Sequence, residues 1–187
     1  MIALKRTSGP ATPVVTTDEV KQYGRISNSA QDSMLSDLIT SATAEVEELT
    51  NRALITQTWS YIIGGFPGVA IRLPKSPLQE VDSIRYTDHN GDLQTVDPEI
   101  YQVSTAREPG EIRLKPGCQW PTVDHTSAEP VTITYLVGYG ESGLEVPQKI
   151  RQAIIALVVY WYDNGLEAAV PVGIRRALDN YQVFYEI

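Results

Sequence analysis

The side chains that could do chemistry are few, and most lie in one short acidic stretch. One set follows the spacing of some oxygen ligands in a calcium-binding loop: Asp88, Asn90, Asp92 and Glu99. Leu93, however, stands where that loop needs glycine, and strand-like sequence flanks the stretch on both sides. The Asn90-Gly91 pair is typical of a tight hairpin. We therefore interpret the stretch as a hairpin turn and expect no metal and no cofactor.

The histidines and the cysteine do not indicate a catalytic group. His89 and His125 lie in polar, turn-like segments with no motif that ties them to a nucleophile. Cys118 is the single cysteine, which excludes an intrachain disulfide and a cysteine-rich zinc site. We predict that the chain is not an enzyme. One alternative stays open: a small cytoplasmic hydrolase or metal-dependent enzyme that uses Asp88, His89, Asp92 and His125.

Composition limits the class of protein further. The 187 residues, 42% of them hydrophobic, suffice for one domain with a sizeable insertion. The net charge of -8 argues against a general nucleic-acid binder, because phosphate neutralisation needs clustered basic residues and the 15 here are scattered. No apolar run approaches the roughly 20 residues of a membrane span, and no signal peptide follows Lys5 and Arg6, so we expect synthesis in a cytoplasm.

The strongest pattern in the chain predicts a long helix from Val146 to Asn164. Its apolar residues have the spacing of one buried helix face: Ile150, Ala153, Ile154, Leu157, Val158 and Trp161. Ile155, Val159 and Tyr162 carry apolar surface outside that face, which a single partner helix does not cover. We predict that these three residues form a subunit interface. The alternative is that an inserted sheet covers them within the chain.

The remaining patterns predict an α+β fold in which a small helical bundle holds an inserted antiparallel β block. The other helices are expected at Thr16 to Tyr23, Ser29 to Arg52, and Ile174 to Asn180. Alternating apolar residues between them predict six or seven strands. The predicted division is an extended N-terminal arm (1–15), a helical domain (16–53 and 144–180), a β domain (54–143) and a C-terminal tail or strand (181–187).

The order of several short sequence words resembles the head-tail connector (adaptor) family of long-tailed phages and prophages. The words are Leu49 to Trp59 (LTNRALITQTW), Ile71 to Pro74 (IRLP), Val81 to Tyr86 (VDSIRY), Tyr101 to Val103 (YQV), Trp120-Pro121, Val137 to Gly140 (VGYG) and Val146 to Ile154 (VPQKIRQAI). The resemblance covers about residues 16 to 181. It implies a non-enzymatic ring, dodecameric in this family, at the head-tail junction (neck) of the virion.

The resemblance also implies partners. Such a ring sits between the portal protein and a tail-side connector or tail terminator protein, and encloses the channel through which DNA passes without specific binding. No catalytic residues are carried over. On this basis we predict that Glu45, Glu47 and Glu48 face the channel. A monomeric peptide-binding module is the remaining alternative from another class.

The end of the chain offers a candidate contact for the portal. Tyr181, Val183, Tyr185 and Ile187 alternate with polar residues and Phe184, the pattern of a strand with one apolar face. A terminal strand needs a sheet edge, which either the β block or a neighbouring protein supplies. We predict that Tyr181, Val183, Phe184, Tyr185 and Ile187 bind the portal or another partner.

Overall fold

The computed structural model describes residues 3–68 and 70–185, which form two compact units. The helical unit comprises Pro10–Ile55 and Tyr139–Gln182. The β unit takes its described residues from within Met1–Gly9, Thr56–Gly138 and Val183–Ile187. The middle segment of the β unit is therefore an insertion into the sequence of the helical unit.

Four α-helices form the helical unit: α1 (Thr17–Gly24), α2 (Asp32–Thr50), α3 (Gln148–Asn164) and α4 (Val172–Leu178). At the start of α1, the Glu19 amide donates to the Thr16 hydroxyl and the Thr16 amide donates to the Glu19 carboxylate. This capping box satisfies amides that have no partner inside the helix. Helix α2 ends at Asn51, whose φ of 54° is left-handed, a conformation that asparagine tolerates better than most residues.

Helix α3 packs against α1, α2 and α4, and its apolar residues are the centre of the helical core. Its buried apolar side chains are Ile150, Ala153, Ile154, Ile155, Leu157, Val158 and Trp161. The facing side of α2 contributes Leu35, Leu38, Ile39, Ala42 and Val46. The same core also contains Val20 of α1, Leu178 of α4, and Val14 and Val15 from the segment before α1.

Eight strands form the β unit within residues 3–68 and 70–185. They are β1 (Ala3–Ser8), β2 (Gln57–Ile63), β3 (Ala70–Arg72), β4 (Leu78–Thr87), β5 (Leu93–Thr95), β6 (Tyr101–Ser104), β7 (Glu111–Leu114) and β8 (Val131–Val137). One sheet has the order β1-β2-β8-β4-β5 and the other has the order β3-β7-β6. Every pair of neighbouring strands is antiparallel.

Strand β8 lies at the centre of the larger sheet and supplies much of its core. Its alternate residues Val131, Ile133, Tyr135 and Val137 are fully buried. The Tyr135 hydroxyl donates a hydrogen bond of 2.8 Å to the Pro74 carbonyl, so the one polar group of this buried ring is satisfied. Burial also raises the pKa of the Tyr135 hydroxyl, which stays protonated.

The predicted α+β fold, with four helices and an inserted antiparallel β region, is confirmed. Within the predicted N-terminal arm (1–15), the structure describes residues 3–15. Residues Ala3–Ser8 pair with β2 as the edge strand β1, and Val14 and Val15 are buried in the helical core. None of the described helices has the length and apolar character that crossing a membrane requires.

Candidate functional site

The acidic stretch at residues 88–92 is the hairpin turn between β4 and β5. One oxygen of Asp88 accepts hydrogen bonds from the amides of Asn90 and Asp92, and the other accepts from the Gln94 amide group. The slight burial of Asp88 would raise its pKa, but these hydrogen bonds and the nearby His89 outweigh it, and the pKa is lowered. The carboxylate therefore holds the turn, since its oxygens are already engaged by donors of the turn itself.

The other candidate catalytic residues are not assembled into a site. The Nδ1 atom of His125 lies 2.9 Å from the Gly64 carbonyl oxygen, which fixes the ring against the loop after β2. Cys118 is a half-buried free thiol. Within residues 3–68 and 70–185, no three His, Cys, Asp or Glu side chains come together as metal ligands would.

A cleft of about 540 Å³ in the β unit contains one buried acid. Glu111 is almost fully buried and forms ion pairs with Arg113, through the guanidinium Nε, and with Arg107 at 3.4 Å. These two cations neutralise the carboxylate. A general base needs a free carboxylate within reach of substrate, so the ion pairs argue against that role for Glu111.

Helix α1 covers the surface of α3 that the sequence assigns to a subunit interface. Ile155 is only 4% exposed in the single chain, so little of its surface is available to a neighbouring subunit, and its assignment to a subunit interface stays a prediction. Val159 is half-buried, and a Cβ built on Gly24 at the end of α1 would lie 3.1 Å from its Cγ2 atom. The Tyr162 hydroxyl donates a hydrogen bond to the Gln31 side chain. Within the single chain, this cover comes from the first elements of the helical unit.

The three glutamates predicted to face a channel have different surroundings. Glu47 accepts a hydrogen bond of 2.8 Å from the Leu54 amide, which holds the chain as it leaves α2. Beside it, the Arg52 Nε donates to the Tyr181 carbonyl at 2.6 Å. Glu45 is half-buried and Glu48 is exposed. Of the three, Glu47 has a local structural role that its sequence position did not reveal.

The C-terminal residues show one strongly exposed apolar side chain. Tyr181 belongs to a short 3-10 helix in the helical unit, and residues 182–185 form no strand. In the β unit, Val183 is buried and Tyr185 is half-buried, near Tyr61. Burial raises the pKa of the Tyr185 hydroxyl. Phe184 between them is 80% exposed. Ile187, the last residue of the predicted contact, lies outside the described residues.

Sequence reasoning missed one feature, a groove of about 380 Å³ between α3 and α4. Its lining contains several residues with small side chains: Ala153, Ala156, Gly173 and Ala177. Ile174 and the exposed ring of Tyr23 complete its apolar part. The sequence shows Ala153, Ala156 and Ala177 as small residues on these helices, but the pattern alone does not show that the two helices place them together.

The head completion protein family matches residues 13–181, and the chain belongs to this family. The match confirms the predicted class, a virion structural protein that serves as a head-tail connector. It supports a structural role over an enzymatic one. Comparison with curated proteins finds no match.

Solved structures share the fold over nearly the whole chain. One is from the virion of a native gene transfer agent particle, with 21% identity, a TM-score of 0.79, and coverage of 98% of this chain and 97% of that chain. A second, from the neck of the empty particle computed with C6 symmetry, has 21% identity, a TM-score of 0.77, and coverage of 99% and 97%. A third, from the neck of the native particle computed with C12 symmetry, has 21% identity, a TM-score of 0.70 and coverage of 97% of each chain.

Proposed function

We propose that copies of this chain form a closed ring at the head-tail junction of a tailed phage particle. The ring lies between the portal protein and a tail-side connector or terminator, and it encloses the DNA channel. The observation that carries the proposal is the match of both units, over 97% of each chain, to a protein in a neck solved with C12 symmetry. Twelve copies per ring are the number that this likeness favours.

The role is non-enzymatic, and the DNA passes without specific binding. An acidic chain with a net charge of -8 suits a channel through which DNA slides, because basic residues would hold phosphates through salt-dependent contacts. The placement of Glu45, Glu47 and Glu48 on the channel wall stays a prediction. Synthesis in the host cytoplasm precedes incorporation into the particle.

The portal contact centres on Phe184. Val183 and Tyr185 are held in the β unit on either side of it. Binding a partner through Phe184 therefore costs little additional conformational entropy of the backbone. A large aromatic ring presented in this way is the type of residue that dominates protein interfaces. The predicted terminal strand is therefore replaced by a short segment with two buried anchors and one exposed ring.

Two measurements test this function. Electron microscopy and native mass measurement of the wild-type protein, alone and with the portal protein of the same phage, are expected to show a ring. Phe184→Ala is expected to weaken portal binding at least tenfold and to leave the ring intact, since an interface anchor contributes about 2 kcal/mol or more. Leu93→Ala is the matched control, because Leu93 is an exposed apolar residue of the same unit, at 56%. Undiminished binding by Phe184→Ala would show that the portal contact lies elsewhere.

A further inference from the structure

The cleft of about 540 Å³ in the β unit carries an excess of positive charge. Arg72 and Arg113 both line it, and Glu111 is the acid among its described lining residues. Glu111 pairs with Arg113 and Arg107, and it lies directly opposite Arg72 in the β3-β7 ladder. Arg72 forms no ion pair with any residue that the structure describes. Three arginines therefore stand around one buried carboxylate, in a chain whose net charge is -8.

The same cleft also has an apolar wall. Ile63, Pro67, Ala70 and Ile71 line it beside the arginines. A volume of about 540 Å³ lies in the range of clefts that enclose a bound group. A carboxylate entering the cleft would form a charge-assisted hydrogen bond with a guanidinium, and an apolar side chain would be removed from water. The cleft is therefore complementary to an apolar side chain that has a carboxylate next to it.

The turn of residues 141–145, just before α3, presents such a pair of groups on the helical unit. Leu144 is 79% exposed, which makes it the most exposed large aliphatic side chain among the described residues. Glu141 and Glu145 lie on either side of it in the sequence, and both are exposed. Neither acid forms an ion pair with any residue that the structure describes. An exposed leucine between two acids has the apolar and anionic groups that the cleft lacks.

The 141–145 turn is already held in one conformation within the single chain. The Thr12 hydroxyl donates a hydrogen bond of 2.7 Å to the Glu141 carbonyl. A Cβ built on Gly143 would lie 2.0 Å from the Val14 carbonyl oxygen, so the turn packs closely on the segment before α1. Because the turn is ordered before it meets a partner, binding through it costs little conformational entropy.

We propose that the 141–145 turn of one copy inserts into the β-unit cleft of the next copy, and that this contact closes the proposed ring. The inference rests on the proposed function, because it identifies a contact between copies of that ring. Leu144 packs on the apolar wall of the cleft, and Glu141 pairs with Arg72. The turn and the cleft share no residue, so each copy offers one of each, and association proceeds head to tail, as a closed ring requires.

Charge reversal on each side tests the contact. Arg72→Glu alters only the cleft and Glu141→Arg alters only the turn; both positions are exposed, so folding is expected to persist, which circular dichroism and thermal melting will verify. Sedimentation velocity over a dilution series, with and without the portal protein of the same phage, measures the association. Each variant alone is expected to associate at least about tenfold more weakly than wild type, because like charges then face each other. The two substitutions together are expected to restore the association of wild type.

Truncation of Leu144 tests the apolar half of the contact. Leu144→Ala removes three carbon atoms from the proposed interface and is expected to weaken association at least about tenfold. The matched controls are Leu166→Ala, at an apolar residue of the same unit that is 54% exposed, and Glu129→Arg, at an exposed acid of the β unit. Both controls are expected to associate like wild type.

The possible failures of the contact and of the proposed function are distinguishable. Rings of Arg72→Glu and Leu144→Ala that are as stable as the wild-type ring overturn the contact while the proposed function stands. Weaker association of both charge variants without recovery in the double variant also overturns the contact, because the two side chains then do not face each other. A wild-type protein that forms no ring, even with the portal protein, overturns the proposed function and the contact with it.

Discussion

Truncation of the Ile155 side chain tests whether this residue belongs to the core of the single chain or to a subunit interface. The side chain is 4% exposed and belongs to the helical core, with α1 packed on the same helix. Ile155→Ala removes three carbon atoms, which at about 0.8 kcal/mol each amounts to about 2.4 kcal/mol of lost transfer free energy. The cavity left behind adds to this, so we expect the free energy of unfolding to fall by about 2.5 to 4 kcal/mol.

The assay is urea unfolding followed by circular dichroism at two protein concentrations, for example about 1 and 50 µM, spanning a range in which subunit association would shift the midpoint by mass action. The expected loss for Ile155→Ala is the same at both concentrations, and Ile154→Ala, at a fully buried position, serves as the reference. A loss below about 1 kcal/mol in the monomer, together with loss of the ring, would refute the argument and return Ile155 to a subunit interface.

Two further substitutions test the local energetics. Tyr135→Phe leaves the buried Pro74 carbonyl without its donor and is expected to lower the free energy of unfolding by about 1 to 2 kcal/mol, measured by urea unfolding of the β unit in the whole chain. For Glu19, partial burial raises the pKa, but hydrogen bonds from Thr16 and the charge of Arg151 outweigh burial, so the pKa in the folded state lies below the ordinary value for a glutamate carboxyl. The stability that Glu19 supplies is then complete above that ordinary value and is lost as the pH falls through the lowered pKa. Glu19→Gln is therefore expected to be less stable than wild type at pH 7, with a difference that shrinks below about pH 4.5, whereas the exposed Glu129→Gln shows no such change.

The elements with a strong amphipathic period could be predicted from the sequence. The predicted helix at Val146 to Asn164 corresponds to α3 (Gln148–Asn164), because its apolar stripe buries the residues that the spacing selects. The predicted hairpin at Asn90-Gly91 is likewise observed, with Gly91 at a φ of 86° that a side chain would strain. In both cases the information is local, so the sequence pattern and the tertiary structure agree.

The ends of the chain were harder to predict, because what holds them is not local. Strand β1 is almost wholly exposed, so its residues do not alternate between apolar and polar. Its backbone hydrogen bonds to β2 do not depend on which side chains it carries, so the sequence does not reveal them. The reverse error occurred at the C-terminus. There, alternation suggested a strand, but Val183 and Tyr185 are partly or fully buried without strand geometry. Alternation therefore reports which side chains are buried, and not by itself that a sheet ladder forms.

The candidate interface shows why surfaces of association are the hardest feature to read from sequence. An excess of apolar residues on α3 was interpreted as a subunit contact, yet the core of an interface and the core of a domain have similar composition. What distinguishes the two is the exposed fraction of each α3 side chain in the single chain, and this depends on where α1 packs against α3. The groove between α3 and α4 is lined by three alanines and a glycine, whose small side chains leave space between the two helices. Such a groove, like the cover over Ile155, depends on how the helices are placed in three dimensions, which the sequence pattern of each helix does not give.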